Sequence, residues 1–254
     1  ELIKNHIAGI SVDNKDNIYL FNRSKNPIIV LNPKGELLRT WGHGIFKNPH
    51  GSHIGFDQNI YLTDNGDHIV RKFTLDGKLL LQIGIPDTNS GFMSGKPFCK
   101  CTHSALSPEG DIIVSDGYGN AAIHIFDQNG NVKKIITILD DNVELLINEK
   151  CFEHEICSMH AKLTGITLDN ENNILVTDFL NHRVIKLDSS GNILFEFKVP
   201  PEEGGNFSRP TNVEINDLTG DVFVTDNSDR VLVFNSSGNF LYSFGESGRG
   251  LGQF

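Results

Sequence analysis

The sequence has little of what several protein classes require. Its 254 residues contain no apolar run near the roughly 20 residues that a membrane-spanning helix needs, so we expect no membrane span. Basic residues are also few: 22 lysines and arginines are scattered along the chain against 32 acidic residues, and the net charge is -10. Because binding to phosphates depends on clustered lysine and arginine, this composition argues against nucleic acid as a partner.

Cysteine is scarce, and its four copies fall in two places, Cys99 with Cys101 and Cys151 with Cys157. Two disulfides would suit an extracellular protein, whereas two reduced pairs would suit a cytosolic protein or a metal site. One alternative is a disulfide from Cys151 or Cys157 to Cys99 or Cys101. The cysteines therefore do not determine the compartment of the protein. Of the two alternatives, we slightly favour an extracellular or secreted location.

What the sequence has in quantity is a repeat. Residues 49–84 contain a short apolar lead, an alternating strand at Asn59 to Thr63, a further strand at Ile69 to Phe73 and the fourth strand at Leu79 to Ile83. The Asp76-Gly77 pair between the last two strands is typical of a tight hairpin turn. The same pattern recurs at residues 9–42, 102–138, 164–197 and 211–245. Its turn glycines are Gly35, Gly77, Gly130, Gly191 and Gly238, spaced 42, 53, 61 and 47 residues apart.

This repeat predicts an all-β fold. Four short strands in roughly 40 to 45 residues are typical of a β-propeller blade, because one small sheet can bury its faces only against neighbouring sheets. We therefore predict a single propeller domain over residues 1–254, with five blades visible. Either these five blades close a ring, or a sixth blade lies outside this sequence.

The repeat is interrupted at residues 139–163, which we interpret as a helical insertion between the third and fourth blades. Cys151, His154, Cys157 and His160 recur there at every third residue, and all four are residue types that zinc accepts. Steps of three drift by about 60° each around an ideal helix, so the four side chains cannot converge on one ion. We keep two alternatives for them, a metal site built on a neighbouring pair and a disulfide.

Three residues depart from the repeat on one rim, where propellers commonly bind ligands. Arg23 stands in a turn where the other repeats have Asn65, Gly117, Phe179 and Asn227. An arginine there can present its guanidinium to an anionic ligand or pair with a neighbouring carboxylate. His50 stands where an inner strand begins, and Tyr118 stands on a rim turn between two glycines. These side chains can bind a metal or move a proton, or they can serve as hydrogen-bonded and packing residues of the wall.

Parts of the sequence resemble known families. The segments GISVD, NIYLF, TDNGDHIVRKF and TDFLNHRVIKL resemble NHL repeats over nearly the whole chain. The segments FNR (residues 21–23), NPHG (48–51), FCK (98–100) and SDGYGN (115–120) resemble peptidyl-α-hydroxyglycine α-amidating lyases and their bacterial relatives. That resemblance implies a six-bladed propeller with zinc held by three histidines, a structural calcium, a catalytic tyrosine and substrate-contacting arginines.

The resemblance implies a role for His50 as a zinc ligand, for Tyr118 as the catalytic tyrosine and for Arg23 as a substrate arginine. Elsewhere this chain departs from the family pattern. Thr164 stands at the place of the second zinc histidine, and Phe179 at the place of the second arginine. Cys99 matches one half of a family disulfide, but its partner position holds Gly119.

Three functional hypotheses follow. The favoured one is a propeller related to the amidating lyases that binds a small molecule or a peptide end through Arg23, His50 and Tyr118, without turnover. The second is a metal-dependent lyase in which His53, His103 or the Cys/His insertion completes a site with His50, because catalytic zinc takes three protein ligands and a water. The third is a structural module with a protein partner.

Overall fold

The computed structural model describes residues 6–91, 94, 96–138, 162–248, 250 and 252–254. Within them the chain is all-β, as predicted, and its twenty strands form five four-stranded antiparallel sheets with the strand order of propeller blades. The part of the chain that the structure describes has no helix with the length and apolar character that a membrane crossing requires.

Residues Glu1–Ile135 form one compact unit, which holds the first three blades except for the last two residues of β12. The strands of its first blade are β1 (Ile7–Val12), β2 (Ile18–Asn22), β3 (Ile28–Leu31) and β4 (Leu37–Trp41). The second blade consists of β5 (Pro49–Ile54), β6 (Asn59–Asp64), β7 (Ile69–Thr74) and β8 (Leu79–Ile83). The third consists of β9 (His103–Leu106), β10 (Ile112–Asp116), β11 (Ala122–Phe126) and β12 (Val132–Thr137).

Residues Ile136–Phe254 form a second compact unit with two blades. The strands of the fourth blade are β13 (Leu163–Leu168), β14 (Ile174–Asp178), β15 (Arg183–Leu187) and β16 (Ile193–Glu196). Those of the fifth are β17 (Asn212–Ile215), β18 (Val222–Asp226), β19 (Arg230–Phe234) and β20 (Phe240–Phe244). A short 3₁₀ helix, Pro201–Glu203, lies between the two blades. A single domain over the whole chain stays a prediction.

Burial explains why the second strand of each blade was readable from sequence. In β6 and β10 almost every residue is buried, because the sheet is covered on both faces, and such strands have continuous apolar runs. The outer strands β4 and β8 instead leave most of their residues exposed or half-buried. The inner strands of the first unit are neighbours, and the Ser11 and Ser52 hydroxyls are hydrogen-bonded at 2.7 Å between β1 and β5.

The hairpin glycines adopt the backbone conformation that the turn requires. Gly77 has φ +89°, and its amide donates to the Thr74 carbonyl at 2.9 Å. The other four turn glycines also have positive φ, between 80° and 90°. Because this left-handed region is costly for residues with a Cβ, glycine marks the same turn in all five repeats.

Aromatic side chains fill the space between successive blades inside each unit. In the first unit Phe46 packs edge to face on Phe21, with ring centroids 4.8 Å apart, and Trp41 lies 5.2 Å from Phe73. In the second unit Phe197 and Phe234 make a similar edge contact at 5.4 Å. These rings contribute much of the apolar area that each blade buries.

The predicted insertion lies almost wholly outside the described residues. Of residues 139–163 only Lys162 and Leu163 are described, and Leu163 is the first residue of β13. The helix and the metal or disulfide site expected there, with Cys151, His154, Cys157 and His160, stay predictions.

Candidate functional site

In each of four blades, a buried carboxylate at the end of the second strand fixes the segment that enters the blade. Each of these aspartates accepts a hydrogen bond from a backbone N–H in the segment that leads into the inner strand. The pairs are Asp64 with Asn48 at 2.8 Å, Asp116 with Cys99 at 2.9 Å, Asp178 with Lys162 at 3.1 Å and Asp226 with Ser208 at 2.9 Å. The structure assigns these four aspartates a capping role, because each satisfies a backbone N–H of the segment that enters its blade.

Beside the ends of the second strands, the first unit brings two predicted site residues into direct contact. His50, on β5, has its Nε2 2.9 Å from the Tyr118 hydroxyl, which belongs to the turn after β10. The two ring centroids are 5.4 Å apart at an angle of 74°. Both side chains are half-buried. The residues are 68 positions apart in the chain.

The hydrogen bonds of His50 determine its tautomer. Its Nδ1 lies 2.8 Å from the Thr102 carbonyl oxygen, which can only accept, so the proton is on Nδ1. In the neutral ring Nε2 is then an acceptor, and the Tyr118 hydroxyl donates to it. The Thr102 backbone is itself fixed, because its amide donates to the Ser115 carbonyl at 2.8 Å and its hydroxyl contacts the Ser115 hydroxyl at 2.8 Å.

Arg23 stands beside this pair. Its Nε donates to the Pro49 carbonyl at 3.1 Å, one residue before His50, and its side chain is exposed. Burial raises the pKa of the Tyr118 hydroxyl, and the positive charge of Arg23 lowers it by a smaller amount, so the net shift is upward. The phenol therefore stays protonated near neutral pH and acts as a hydrogen-bond donor. We call Arg23, His50 and Tyr118 the rim triad.

The described residues do not fit a three-histidine zinc site. No group of three or more histidine, cysteine, aspartate or glutamate side chains within them could hold a metal ion. His53 and His103 lie on the neighbouring strands β5 and β9, and the pKa of His53 is lowered to about 4, first by burial and then by His103. In the second unit the Thr164 hydroxyl contacts the Thr177 hydroxyl at 2.9 Å and donates to the Pro210 carbonyl at 3.2 Å.

Cys99 and Cys101 are buried and unbridged in the structure. Burial raises the pKa of both thiols, so neither is an activated nucleophile. A Cβ added at Gly119 would overlap the Cys99 sulfur and stand 2.7 Å from the Cys99 Cβ. Gly119 therefore lies directly against Cys99, at the position that the resemblance implies for a disulfide partner. A bridge to Cys151 or Cys157 involves residues outside the described ranges.

Sequence reasoning missed the cations around Phe179. Lys162 and Arg209 both approach its ring, with Nζ 5.0 Å and Cζ 5.6 Å from the ring centroid. The repeat pattern did not single them out, because Lys100, Lys162 and Arg209 each stand two residues before the threonine of their repeat. The remaining indication was a substitution: a phenylalanine at a rim turn where two other repeats have asparagine.

Comparison with known proteins supports a relationship to amidating lyases. Over 114 residues the chain is 36% identical to peptidyl-alpha-hydroxyglycine alpha-amidating lyase 1 of Drosophila melanogaster. This match covers 42% of this chain and 20% of that protein. It is 32% identical over 136 residues to lyase 2 of the same organism, covering 50% of this chain and 32% of the relative. The chain thus spans a third or less of these curated relatives. No family model matches it.

Solved structures support the fold over almost the whole chain. A streptogramin B lyase structure superposes with a TM-score of 0.64 at 14% identity, covering 94% of this chain and 69% of the other. A structure of a nidogen/laminin complex superposes with a TM-score of 0.68 at 16% identity, covering 94% of this chain and 80% of the other. At such identities the likeness shows the fold alone. The chain therefore has a β-propeller fold and resembles, over about half of its length, the peptidyl-α-hydroxyglycine α-amidating lyases.

Proposed function

We propose that this chain is a binding propeller related to the amidating lyases, and that its rim triad holds the carboxylate end of a small molecule or peptide without turnover. The observation that carries the proposal is the His50–Tyr118 hydrogen bond of 2.9 Å with the Arg23 cation beside it. The guanidinium supplies charge-assisted hydrogen bonds to a carboxylate. The Tyr118 hydroxyl is a donor that can turn from His50 to the same ligand.

The protonation state of Tyr118 favours binding over catalysis. A base must be available in its deprotonated form near the working pH, whereas burial raises the pKa of this phenol. The described residues also supply too few ligands for a catalytic zinc.

Titration calorimetry with N-acetyl-Phe-Gly and its C-terminal amide tests the binding proposal. We expect the free carboxylate to bind and the amide to bind at least about tenfold more weakly, because one charge-assisted interaction is lost. Arg23→Gln should weaken binding of the carboxylate by a similar factor. Arg39→Gln is the control, since Arg39 is an arginine of the same unit whose Cζ lies 5.9 Å from the centroid of a different tyrosine ring, that of Tyr19. Equal affinity for acid and amide would contradict the proposal.

A second candidate is a C–N lyase, which the identity to the amidating lyases favours. The reaction would cleave peptidyl-α-hydroxyglycine at its N–Cα bond, and the hydroxyl proton would move to the amide nitrogen as peptide amide and glyoxylate form. Zinc and calcium are expectations of this alternative only. Metal analysis of the purified protein and of His50→Ala separates the two functions. Stoichiometric zinc that is lost with His50, together with glyoxylate release, would establish the lyase and overturn the binding proposal.

The third hypothesis, a structural module with a protein partner, makes a different prediction. In that case Arg23→Ala and Tyr118→Ala should leave every binding activity of the protein unchanged. Loss of carboxylate binding in both variants, with unfolding midpoints like that of the wild type, would support the rim triad as the binding site.

A further inference from the structure

A histidine joins the second blade to the segment that enters the third. His68 is the last residue before β7 and is half-buried, and its φ of +59° is left-handed. Its Nδ1 accepts a hydrogen bond from the Lys100 amide at 3.0 Å, shortly before β9 begins. Because Nδ1 accepts, the proton of the neutral ring is on Nε2. We call this contact the His68 clasp.

The turn itself does not require a histidine. The residue directly before the third strand is Ala121 in the third blade, His182 in the fourth and Asp229 in the fifth, and all three have φ between 47° and 55°. Lys100 also has a left-handed φ of +61°, which is costly for a residue with a Cβ. The His68 clasp therefore does more than form its own turn, because it holds Lys100 in a conformation that lysine disfavours.

The clasped segment ends at the residue that fixes His50. Two residues beyond the clasped amide stands Thr102, whose carbonyl accepts the Nδ1 proton of His50 at 2.8 Å. The Nε2 of that ring accepts from the Tyr118 hydroxyl at 2.9 Å. Cys101 lies between the clasped amide and Thr102 and is fully buried, so a shift of this backbone cannot be absorbed by a loose side chain. The segment thus joins the His68 clasp to the rim triad.

Protonation of His68 opens the His68 clasp. The protonated ring carries a hydrogen on Nδ1, so this nitrogen can no longer accept from the Lys100 amide. Burial lowers the pKa of His68 and the Lys100 cation lowers it as well, whereas the carboxylates of Asp116, Asp67 and Asp64 raise it, and the net shift is downward. The clasp is therefore closed above about pH 6.5, the ordinary pKa of histidine, and opens as the pH falls through the lowered value.

We propose that His68 is a positioning residue for the rim triad and that it makes carboxylate binding weaker at mildly acidic pH. The ligand in this proposal rests on the proposed function. With the clasp closed, the Thr102 carbonyl holds His50 in the tautomer that accepts from Tyr118. The phenol and the Arg23 cation are then already in place when a carboxylate arrives. With the clasp open, the carbonyl is less fixed, and part of the binding free energy is used to order the site.

Titration calorimetry with N-acetyl-Phe-Gly, at about pH 7.5 and about pH 5, tests the proposal in two variants. His68→Asn tolerates the left-handed backbone and keeps an acceptor atom two bonds from Cβ, but does not titrate. His68→Gly tolerates the backbone and lacks the acceptor. Between the two pH values, we expect the affinity of the wild type to fall about threefold more than that of His68→Asn. At about pH 7.5, His68→Gly should bind about threefold more weakly than His68→Asn.

The matched control is His182→Gly. His182 occupies the same turn in the fourth blade, and its Nδ1 lies 3.0 Å from the Phe207 carbonyl oxygen and 3.3 Å from the Arg209 amide, but it belongs to the other compact unit. Its replacement should leave carboxylate binding and the pH dependence of binding unchanged. The same pH dependence in the wild type and in His68→Asn would overturn the proposal.

A measurement without ligand separates this proposal from the proposed function. In nitrogen-15 NMR spectra of protein with labelled histidine, the ring nitrogens of His50 report its tautomer and its Nδ1 hydrogen bond. At about pH 7.5 we expect these signals to shift in His68→Gly and to keep their wild-type positions in His68→Asn. If this shift occurs and no carboxylate binds, the proposed function fails and the positioning role is supported. Wild-type His50 signals in His68→Gly would overturn the positioning role, whether or not a carboxylate binds.

Discussion

The stability of the first unit should depend on pH through His53. This residue lies on β5, with its ring centroid 6.3 Å from that of Tyr61. The pKa of His53 is lowered to about 4, because burial and then the positive charge of His103 lower it by more than the Asp57 carboxylate raises it. The unfolded chain has an ordinary histidine pKa of about 6.5 and takes up the proton first. Stability is therefore fully present above about pH 6.5 and falls as the pH drops toward 4.

The expected size follows from the two pKa values. Between about pH 7.5 and pH 4.5 the single titration of His53 removes at most about 2.5 kcal/mol from the free energy of unfolding. Replacing His53 with glutamine removes the titrating group and keeps a neutral side chain. We expect the difference in unfolding free energy between the two pH values to be smaller in His53→Gln than in the wild type by about this amount.

Urea unfolding of wild type and variant at both pH values measures the effect. For each protein we take the change in unfolding free energy between the two pH values, and then compare the two changes. The contributions of the other titrating groups cancel in this comparison, and so does any loss of stability from the substitution that is the same at both pH values. His43→Gln is the control, because it makes the same replacement at an exposed histidine of the same unit. The same pH dependence in His53→Gln and wild type would refute the assignment of a lowered pKa to this residue.

Three further predictions concern the rim. Asp116→Asn should lower the free energy of unfolding by about 3 kcal/mol, because this buried carboxylate accepts the Cys99 amide and two side-chain donors; a urea midpoint like that of the wild type would contradict its capping role. Gly119→Ala should cost about 2 kcal/mol through overlap with Cys99, and Cys99→Ala should recover part of that loss in the double variant. Strict additivity of the two substitutions would argue against the contact. The pKa of His68 is lowered by burial, and its Nδ1 accepts the Lys100 amide at 3.0 Å. Acidification from about pH 7 to pH 5 should therefore reduce the hydrogen-exchange protection of that amide, and constant protection would contradict this.

Local structure could be predicted from the sequence because the blade repeats it five times. The strands expected at Asn59 to Thr63, Ile69 to Phe73 and Leu79 to Ile83 are confirmed to within one residue. Two physical constraints made this possible. A strand covered on both faces needs a continuous apolar run, and the hairpin turn needs a residue that tolerates positive φ.

The site was only partly predictable. The repeat alignment placed Arg23, His50 and Tyr118 on one rim of neighbouring blades, and in the structure His50 and Tyr118 are in contact. The alignment could not give the His50 tautomer, because that depends on the Thr102 carbonyl, 52 positions away. It also could not give the Lys162 and Arg209 contacts with Phe179, since side-chain contacts between separate segments leave no periodic pattern.

The repeats also separate what the fold requires from what a function requires. At the turn after the second strand the fold accepts Asn65 and Asn227, and the side chain of Asn65 simply accepts a hydrogen bond from Asn48 at 2.5 Å. The same turn position holds Arg23 in one blade and Phe179 in another, although neither is needed to form the turn. Both substitutions coincide with positive charge: Arg23 acts on Tyr118, and Phe179 is approached by two cations. Because five copies of one blade share the same structural constraints, the two copies that depart from them in this common direction are the places where ligand recognition is best sought.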